Sequence, residues 1–493
     1  MFESSTPSLR SHLVTRIVDA ARAAAQCQAE MLVSIGELFR ARLAEFGECE
    51  DYAVDTYAAV AAEVAATLRC SLAMGSSHLR YALAMQERLP QVGRVFEGGG
   101  IDYDTFKRIV FRTDLIVDDG RLASADEHLA LAAPRWGTLS RGKLDKAIDK
   151  AVAKADPDAV RRRAEDSGGD RYVEICETDA GVCEIRGRAF DVVGRALDKR
   201  LDELAATVCD QDPRTKDQRR TDALQPLADR ADRLACRCGL DACPMAGMKP
   251  PRTGIVIHVV AEQATLEGSG DAPGYTFDAD SLIPAELLRE LAAVAKQVPV
   301  IPPVDAVPES SYVPSKALAD FVRCRDLTCR APGCDKPATS CELDHTVPYA
   351  DGGATHASNI KCLCVTHHLL KTFCGWRDLQ LPDGTIVWTL PGGQVYVTTP
   401  GSALLFPGLS APTGVLSAAQ GRGIGKPGTA AGLAERMAKM PRRSRTRRQN
   451  RDAAIAEERR LNQQSRQAAR EKNRKIIGPH AGEDCPDEDP PPF

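Results

Sequence analysis

The residues best suited to metal chemistry lie close together, between positions 324 and 374. The chain has 17 cysteines and nine histidines, and seven of the cysteines fall within this stretch. Cys329 and Cys334 form one short pair, and Cys364 and His367 form another about 30 residues later. Two short turns that each supply two such ligands are typical of a tetrahedral structural zinc site. The spacing therefore predicts structural Zn²⁺ on these four residues.

Other cysteines in the stretch compete for the same metal. Cys362 would replace Cys364 after a small shift in register, and Cys324, Cys341 and Cys374 remain as further candidates. Buried, reduced cysteines without metal are the alternative interpretation. A fragment this small has little core of its own, so metal binding is expected to supply much of its folding free energy.

Zinc ligation leaves a second set of polar residues without a role. They are Asp344, His345, Asn359 and His368. "CELDH" has strand character ending at His345, "NIKCL" can pair with it, and "VTHHLLKTF" has a helical pattern. If these elements pack together, Asp344 and His368 converge on one divalent ion, and His345 faces that ion across a small cleft. Gly352 and Gly353 permit the tight loop between the strands.

Two further residues near this set have less specific interpretations. His356 lies in the loop and is expected to be exposed rather than catalytic. Lys371 either contacts phosphate or simply ends the helix.

Changes in apolar periodicity divide the chain into parts that must position these residues. The predicted fold class is α+β, with a largely helical N-terminal region, a mixed α+β unit and a small zinc-stabilised domain. The predicted parts are a helical region (1–160), an α+β unit (161–296), a proline-rich linker (297–314), the domain with the candidate site (315–400), and a mostly disordered basic tail with an acidic end (401–493). Within that tail, some helix is expected around 431–475. Three short hairpin strands, "WRDLQL", "TIVWTL" and "QVYVTT", are predicted after the cysteine-rich stretch.

Two features outside the cysteine-rich stretch could also bind a ligand. A helix, a turn at Leu72–Gly75 and a helix capped by Ser76 could form a helix-turn-helix that offers His78 and Arg80 to a DNA groove. An ordinary helical hairpin is the simpler interpretation. Farther on, "CRCGLDAC" places three cysteines together, and a second metal site would need a fourth ligand such as His258. Those three cysteines are Cys236, Cys238 and Cys243.

The formal net charge of −4 conceals an uneven distribution. Residues 436–475 contain 15 Lys+Arg and 4 Asp+Glu, a local charge of +11, so the rest of the chain carries −15. A basic segment on an acidic body suits a polyanionic partner, because neutralised phosphates release counterions. The alternative is a solvated tail that only aids solubility.

The order Asp344-His345, Asn359, His368, framed by cysteine pairs and "LCVTHHLLK", resembles the HNH nuclease motif with its ββα-metal fold. The stretches "CRDLTCRAPGC" and "LDHTVPYADGG" resemble the nuclease domain that closes proteins of the 13E12 repeat family. "YAVDTYAAVAAEVAATL", "MQERLPQVGRVFEGGGID" and "DPRTKDQRRTDAL" resemble that family's N-terminal domain of unknown function. The resemblance covers roughly residues 10 to 400.

The resemblance implies a role for each residue. His345 would be the general base that takes a proton from water, which suits imidazole because its pKa lies near neutrality. Asp344 and His368 would bind one catalytic Mg²⁺ or Mn²⁺, and Asn359 would brace the loop that carries His345. Related motifs often have cysteine where His367 stands, and histidine is an acceptable zinc ligand.

The expected function is hydrolysis of DNA phosphodiester bonds by a metal-dependent endonuclease. The alternative is a catalytically inactive, zinc-stabilised module that binds nucleic acid or another partner. DNA is the expected partner, and a homo-oligomer is possible. No run of apolar residues approaches the roughly 18 needed to span a membrane, and no secretory signal is recognisable, so a cytoplasmic location is expected.

Overall fold

The computed structural model describes residues 9–160, 172–177, 182–189, 191–240, 242–243, 258–277, 281–293, 295–416 and 435–477. Part of the tail expected to be disordered, 417–434 and 478–493, lies outside these ranges. Within them the fold is mixed α+β, with long helices and four small sheets.

The N-terminal region is helical, as its periodicity predicts. Its helices are α1 (Leu9–Phe46), α2 (Thr56–Leu68), α3 (Leu72–Leu83), α4 (Pro90–Glu97), α5 (Tyr103–Thr113), α6 (Asp119–Ala132) and α7 (Arg141–Ala155). Asp55 and Asp102 each accept a hydrogen bond from a backbone N–H three residues later, which caps α2 and α5. Phe96 and Phe106 stack at 4.8 Å between ring centroids within the shared core.

The turn between α2 and α3 differs from the sequence prediction. Arg69 ends α2 in a left-handed conformation with φ 53°, and Ser71, not Ser76, caps α3 by accepting from the N–H of Met74. The ring Nδ1 of half-buried His78 lies 3.0 Å from the hydroxyl of Tyr103. His78 therefore packs against α5, so the structure does not support its use as a DNA-reading side chain.

None of the described helices is by itself long and apolar enough to cross a membrane. Only α2 combined with residues 72–88 meets that test, and these two segments are bent by 109°. Most of α2 is buried within the protein.

The middle unit contains a hairpin, short helices and a small sheet. Strands β1 (Tyr172–Glu177) and β2 (Cys183–Arg188) pair antiparallel. The other elements are α8 (Asp191–Ala205), α9 (Lys216–Asp222), α10 (Leu224–Ala228), β3 (Val259–Val260), α11 (Gln263–Leu266), β4 (Gly274–Thr276), β5 (Ser281–Ile283) and α12 (Ala285–Ala292). Strands β3, β4 and β5 form one antiparallel sheet in that order.

The region that carries the candidate site is built from two small sheets and two helices. Its elements are α13 (Lys316–Asp326), β6 (Glu342–His345), β7 (Ile360–Leu363), α14 (Val365–Phe373), β8 (Arg377–Gln380), β9 (Ile386–Thr389) and β10 (Val395–Thr398). Strands β6 and β7 pair antiparallel, and the three strands predicted after the cysteines form the sheet β8-β9-β10. The indoles of Trp376 and Trp388 are buried between these elements.

The hydrophobic core does not follow the domain boundaries predicted from sequence. Val54, just before α2, belongs to the same hydrophobic core cluster as Trp376. Ala62 and Ala66 of α2 belong to that cluster too. Residues 401–410, assigned from sequence to the tail, form short helical turns that pack beside α13. The tail therefore begins later than residue 401.

The basic segment ends in a long helix, α15 (Arg447–Ile477). This helix lies against the N-terminal region: Arg459 pairs with the buried carboxylate of Asp156 at 2.7 Å, and Arg447 pairs with Asp55 at 3.0 Å. The expected helix is thus present, but several of its arginines already neutralise carboxylates of the same chain.

Candidate metal centre and adjoining cleft

Cys329, Cys334, Cys364 and His367 converge, and we call them the CCCH cluster. Their ligand atoms all lie within 4.8 Å of one another. The imidazole Nδ1 of His367 lies 3.5 Å from Cys329 Sγ and 3.3 Å from Cys364 Sγ, and the thiols of Cys334 and Cys364 are 3.9 Å apart. A tetrahedron with Zn–S bonds of about 2.3 Å has S···S edges of about 3.8 Å. The cluster therefore fits a tetrahedral metal such as zinc.

Local backbone structure explains why these residues meet. Cys329 and Cys334 lie in a turn in which the Cys329 N–H donates to the Lys336 carbonyl at 2.8 Å, and Gly333 takes a φ of 71°. Cys364 is the residue before α14, so His367 follows it on the first turn of that helix. The N–H of Cys364 also donates to Cys329 Sγ at 3.3 Å, which ties the two turns together.

The competing cysteines lie outside the cluster in the described structure. Cys362 points into the core on β7, and its backbone N–H donates to the Asp326 carboxylate at 2.8 Å. Burial raises the pKa of the Cys324 and Cys374 thiols to about 12, so both are neutral near pH 7.

Strands β6 and β7 and helix α14 carry the second set of polar residues. In the strand register Asp344 faces Lys361 and His345 faces Ile360. One carboxylate oxygen of Asp344, Oδ1, lies 3.4 Å from the Nε2 of His368 on α14. Two ligands of one Mg²⁺ at about 2.1 Å stand roughly 3 Å apart when they are adjacent on an octahedron. The separation of Asp344 Oδ1 and His368 Nε2 is therefore a few tenths of an ångström longer than that of two adjacent Mg²⁺ ligands.

Glu342 orients the histidine of this pair. Its carboxylate accepts from His368 Nδ1 at 2.6 Å, which leaves Nε2 directed at Asp344. A carboxylate behind a metal-binding histidine fixes the tautomer and the ring orientation. The sequence could have indicated Glu342, because residues two apart on a strand such as Glu342 and Asp344 lie on the same face.

The second oxygen of Asp344 belongs to a buried charge cluster. Its Oδ2 accepts from the ammonium groups of Lys361 and Lys371, each at 2.6 Å, and both lysines also approach Asp378. Burial alone would raise the pKa of Asp344, but the two lysines hold it well below its usual range. Asp344 is therefore ionised, with one oxygen used inside the protein and the other facing His368.

Lys371 has a role that neither interpretation of the sequence anticipated. Besides Asp344, its ammonium donates to the backbone carbonyl of His345 at 2.6 Å and to that of Thr346 at 3.3 Å. It thus fixes the end of β6 rather than only ending α14.

His345 is held by contacts on both sides of its ring. Its Nε2 lies 2.9 Å from the hydroxyl of Thr355, and Tyr312 stacks on the ring with centroids 5.4 Å apart. Tyr349 approaches edge-on at 5.9 Å. Burial lowers the pKa of His345 more than neighbouring Asp344 raises it, so the imidazole is neutral near pH 7.

Asn359 is fully buried and braces the loop after His345. Its side-chain amide donates to the carbonyls of Val347 at 3.1 Å and Ala354 at 2.8 Å, and its carbonyl oxygen accepts from the Val347 N–H at 2.8 Å. These bonds close the loop that contains Gly352 and Gly353. At Gly353 a Cβ atom would lie 1.8 Å from the Val347 carbonyl, so only glycine fits.

Asp344, His345, His368 and Lys371 line one open cavity of about 730 Å³, which we call the His345 cleft. Tyr312 reaches it from the segment predicted to be a linker. Arg436, which lies 11 residues before α15, also lines it. The cleft is therefore assembled from segments that sequence analysis assigned to different parts of the chain.

His356 is a correction, because it is buried rather than exposed. Its Nδ1 accepts from the backbone N–H of Ser358 at 3.1 Å, which makes it part of the loop's internal support. The fourth partner of Cys236, Cys238 and Cys243 is also corrected. Cys209 lies with them, whereas His258 is exposed and stands apart from that group.

Comparison with known proteins identifies the family to which the larger part of the chain belongs. The family described as "Domain of unknown function (DUF222)" matches residues 19–326, and the chain belongs to it. That match ends at the last residue of α13, before the CCCH cluster. No solved structure matches the chain significantly.

Relatives with similarity over most of their length come from Mycobacterium tuberculosis. Uncharacterized protein Rv3776 is 42% identical over 432 aligned positions, which cover 82% of each chain. Uncharacterized protein Rv2100 is 40% identical over 509 aligned positions, 94% of this chain and 91% of that protein. That alignment spans all but about 6% of this chain.

Proposed function

We propose that the C-terminal part of this chain is an HNH-type endonuclease with a ββα-metal fold, in a protein of the 13E12 repeat type. The observation that carries the proposal is the approach of Asp344 Oδ1 and His368 Nε2 to 3.4 Å at the edge of a cleft that also holds neutral His345. A strand hairpin followed by a helix supplies all three residues. The proposed substrate is DNA.

Asp344 and His368 would hold one Mg²⁺ or Mn²⁺. When bound, such an ion supplies Lewis-acid stabilisation of the charge on the scissile phosphate and leaving oxygen. His345 acts as general base: in the tautomer whose Nε2–H donates to Thr355, Nδ1 keeps a lone pair that can accept a proton from water. Stacking on Tyr312 and the brace at Asn359 keep the imidazole oriented before substrate arrives.

The CCCH cluster would hold a structural Zn²⁺ in this proposal. All four ligands are in contact with one another and three are buried, so no open coordination position faces the cleft. A closed site of this kind stabilises the fold and leaves the chemistry to the His345 cleft.

The second candidate function is a zinc-stabilised module that binds nucleic acid without cleaving it. One observation favours it: Lys361 and Lys371 already neutralise much of the charge on Asp344 and Asp378. This pairing weakens the attraction of Asp344 for a divalent cation. The two functions differ in whether a divalent ion supports turnover.

A plasmid-nicking assay separates these functions. The purified full-length chain is incubated with supercoiled plasmid and Mg²⁺ or Mn²⁺, beside an EDTA control and a gel-shift assay on the same DNA. The nuclease requires nicking that EDTA abolishes. Binding without nicking under either metal would support the binding module, and neither binding nor nicking would refute both.

A further inference from the structure

Four cysteines far from the His345 cleft form a second convergent group, which we call the four-cysteine cluster. Cys209 follows α8, and Cys236, Cys238 and Cys243 lie in the loop after α10. Their sulfur atoms all lie within 4.8 Å of one another. The group thus joins two segments that are about 30 residues apart in sequence.

The sulfur spacing suits a metal better than a pair of disulfides. Cys209 Sγ and Cys236 Sγ are 3.5 Å apart, whereas a disulfide bond is about 2.05 Å long. A zinc ion with four thiolate ligands requires S···S edges of about 3.8 Å. Four thiols that all approach one another satisfy that requirement, while two disulfides need only two close pairs.

The surrounding backbone holds the two segments in place by polar contacts. The carboxylate of Asp212 accepts from the backbone N–H of Arg237 at 2.9 Å and from the guanidinium of Arg214 at 2.8 Å. Arg214 also donates to the Ala235 carbonyl at 2.7 Å. Gly239, with φ 71°, turns the chain directly after Cys238, so that the loop can return toward the cluster.

The unit that contains this cluster has little hydrophobic core. Among the residues from 193 to 243 whose side chains the structure describes, the buried apolar ones are Leu204, Ala205, Ala223, Pro226, Leu234 and Cys236. A set this small contributes little to holding three short helices together, since small domains need staples or metals. Metal binding supplies folding free energy in units of this kind.

We propose that Cys209, Cys236, Cys238 and Cys243 bind a second structural Zn²⁺ that fastens the end of α8 to the loop after α10. This site is independent of the nuclease proposed above, because none of its ligands lines the His345 cleft. Zinc is favoured over calcium or magnesium because all four ligands are soft thiolates.

The test is elemental analysis of the full-length protein, purified under reducing conditions without added chelator. We expect two zinc ions per chain in wild type and one in a Cys238→Ser/Cys243→Ser double variant. The matched control is Cys27→Ser, since Cys27 is an exposed cysteine of α1, and it should keep both ions. A Cys329→Ser/Cys334→Ser variant removes the other ion and shows that the two sites are counted separately.

A second measurement on wild type avoids reliance on variants that fail to fold. The wild-type protein is titrated with an organomercurial thiol reagent, and a metal indicator reports the zinc released. We expect two portions of zinc, one from the CCCH cluster and one from the four-cysteine cluster as its thiols react. One zinc ion per chain in wild type, unchanged in Cys238→Ser/Cys243→Ser, would overturn the proposal. So would a wild-type mass lower by about 2 Da per disulfide, which would show that the cluster is oxidised instead.

Discussion

The CCCH cluster and the His345 cleft share helix α14, which carries His367 and His368, yet they are built differently. The cluster is closed: Cys329, Cys364 and His367 are buried and contact one another. The cleft is open, and the side chain of His368, one residue after His367 on α14, is 33% exposed. One helix thus presents neighbouring histidines to two environments. A closed set of ligands suits a structural metal, whereas an open one leaves room for substrate.

Removing the CCCH cluster should have the largest effect. Cys329→Ser is expected to abolish zinc binding at the CCCH cluster and unfold the segment from about 316 to 398. Structural zinc contributes on the order of 10–16 kcal/mol in small zinc domains, comparable to the whole stability of a domain. Zinc content and limited proteolysis measure this, with Cys27→Ser as control. If the variant keeps the CCCH zinc, Cys329 is not a ligand.

Disrupting the buried charge cluster behind the cleft should have the second-largest effect. This cluster consists of Asp344, Lys361, Lys371 and Asp378. Lys361→Met leaves Asp344 and Asp378 short of a partner in the core, so we expect a loss of roughly 3–5 kcal/mol in the free energy of unfolding. Denaturant titration measures the loss. Lys316→Met is the control, because exposed Lys316 pairs with Asp320 on the surface and should change stability by less than about 1 kcal/mol. Equal stability of both variants would show that the buried pairs contribute nothing net.

Replacing Glu342, whose carboxylate orients His368, should have a smaller effect that is confined to the Mg²⁺ dependence of nicking. Glu342→Gln is expected to raise the Mg²⁺ concentration needed for half-maximal nicking about 10- to 100-fold, because the carboxylate no longer orients the ring. Zinc content should not change. Glu286→Gln is the control, because Glu286 is an exposed residue of α12. An unchanged Mg²⁺ dependence would show that Glu342 does not support the metal ligand.

Single substitutions in the basic C-terminal segment should have the smallest effect, and that effect is on DNA affinity. Arg445 and Arg448 are exposed, whereas Arg447 and Arg459 pair with Asp55 and Asp156. Replacing Arg445 and Arg448 by Gln should reduce the slope of log affinity for duplex DNA against log salt. The expected reduction is roughly 0.9 for each phosphate that these side chains no longer neutralise.

Replacing Arg447 and Arg459 by Gln should lower stability and leave that slope nearly unchanged. Gel shifts across a range of salt concentrations make the comparison. Identical slopes in wild type and the Arg445/Arg448 variant would exclude a direct role for these two side chains in DNA binding.

Sequence reasoning succeeded where the partners are close in the chain. The four members of the CCCH cluster were selected by short spacing, and the strands around Asp344 by alternation. It failed where no spacing rule links the partners: Lys361 on β7 meets Asp378 on β8, and Tyr312 meets His345, only after the sheets and the linker have packed. Cys209 was missed because no other cysteine or histidine lies within 20 positions of it, so no short ligand pair marks it in the sequence. His356 was misjudged because a loop residue can be buried when its imidazole caps the backbone of that loop.

In the proposed mechanism His345 performs chemistry while the CCCH cluster only supports the fold. The most direct test compares plasmid nicking by wild type and His345→Ala, both shown to be folded and zinc-loaded, under Mg²⁺ and Mn²⁺. General-base catalysis contributes about 10² to 10⁴ in rate, so we expect a loss of that size with DNA affinity unchanged. Nicking by His345→Ala at the wild-type rate would contradict the role of His345 as general base.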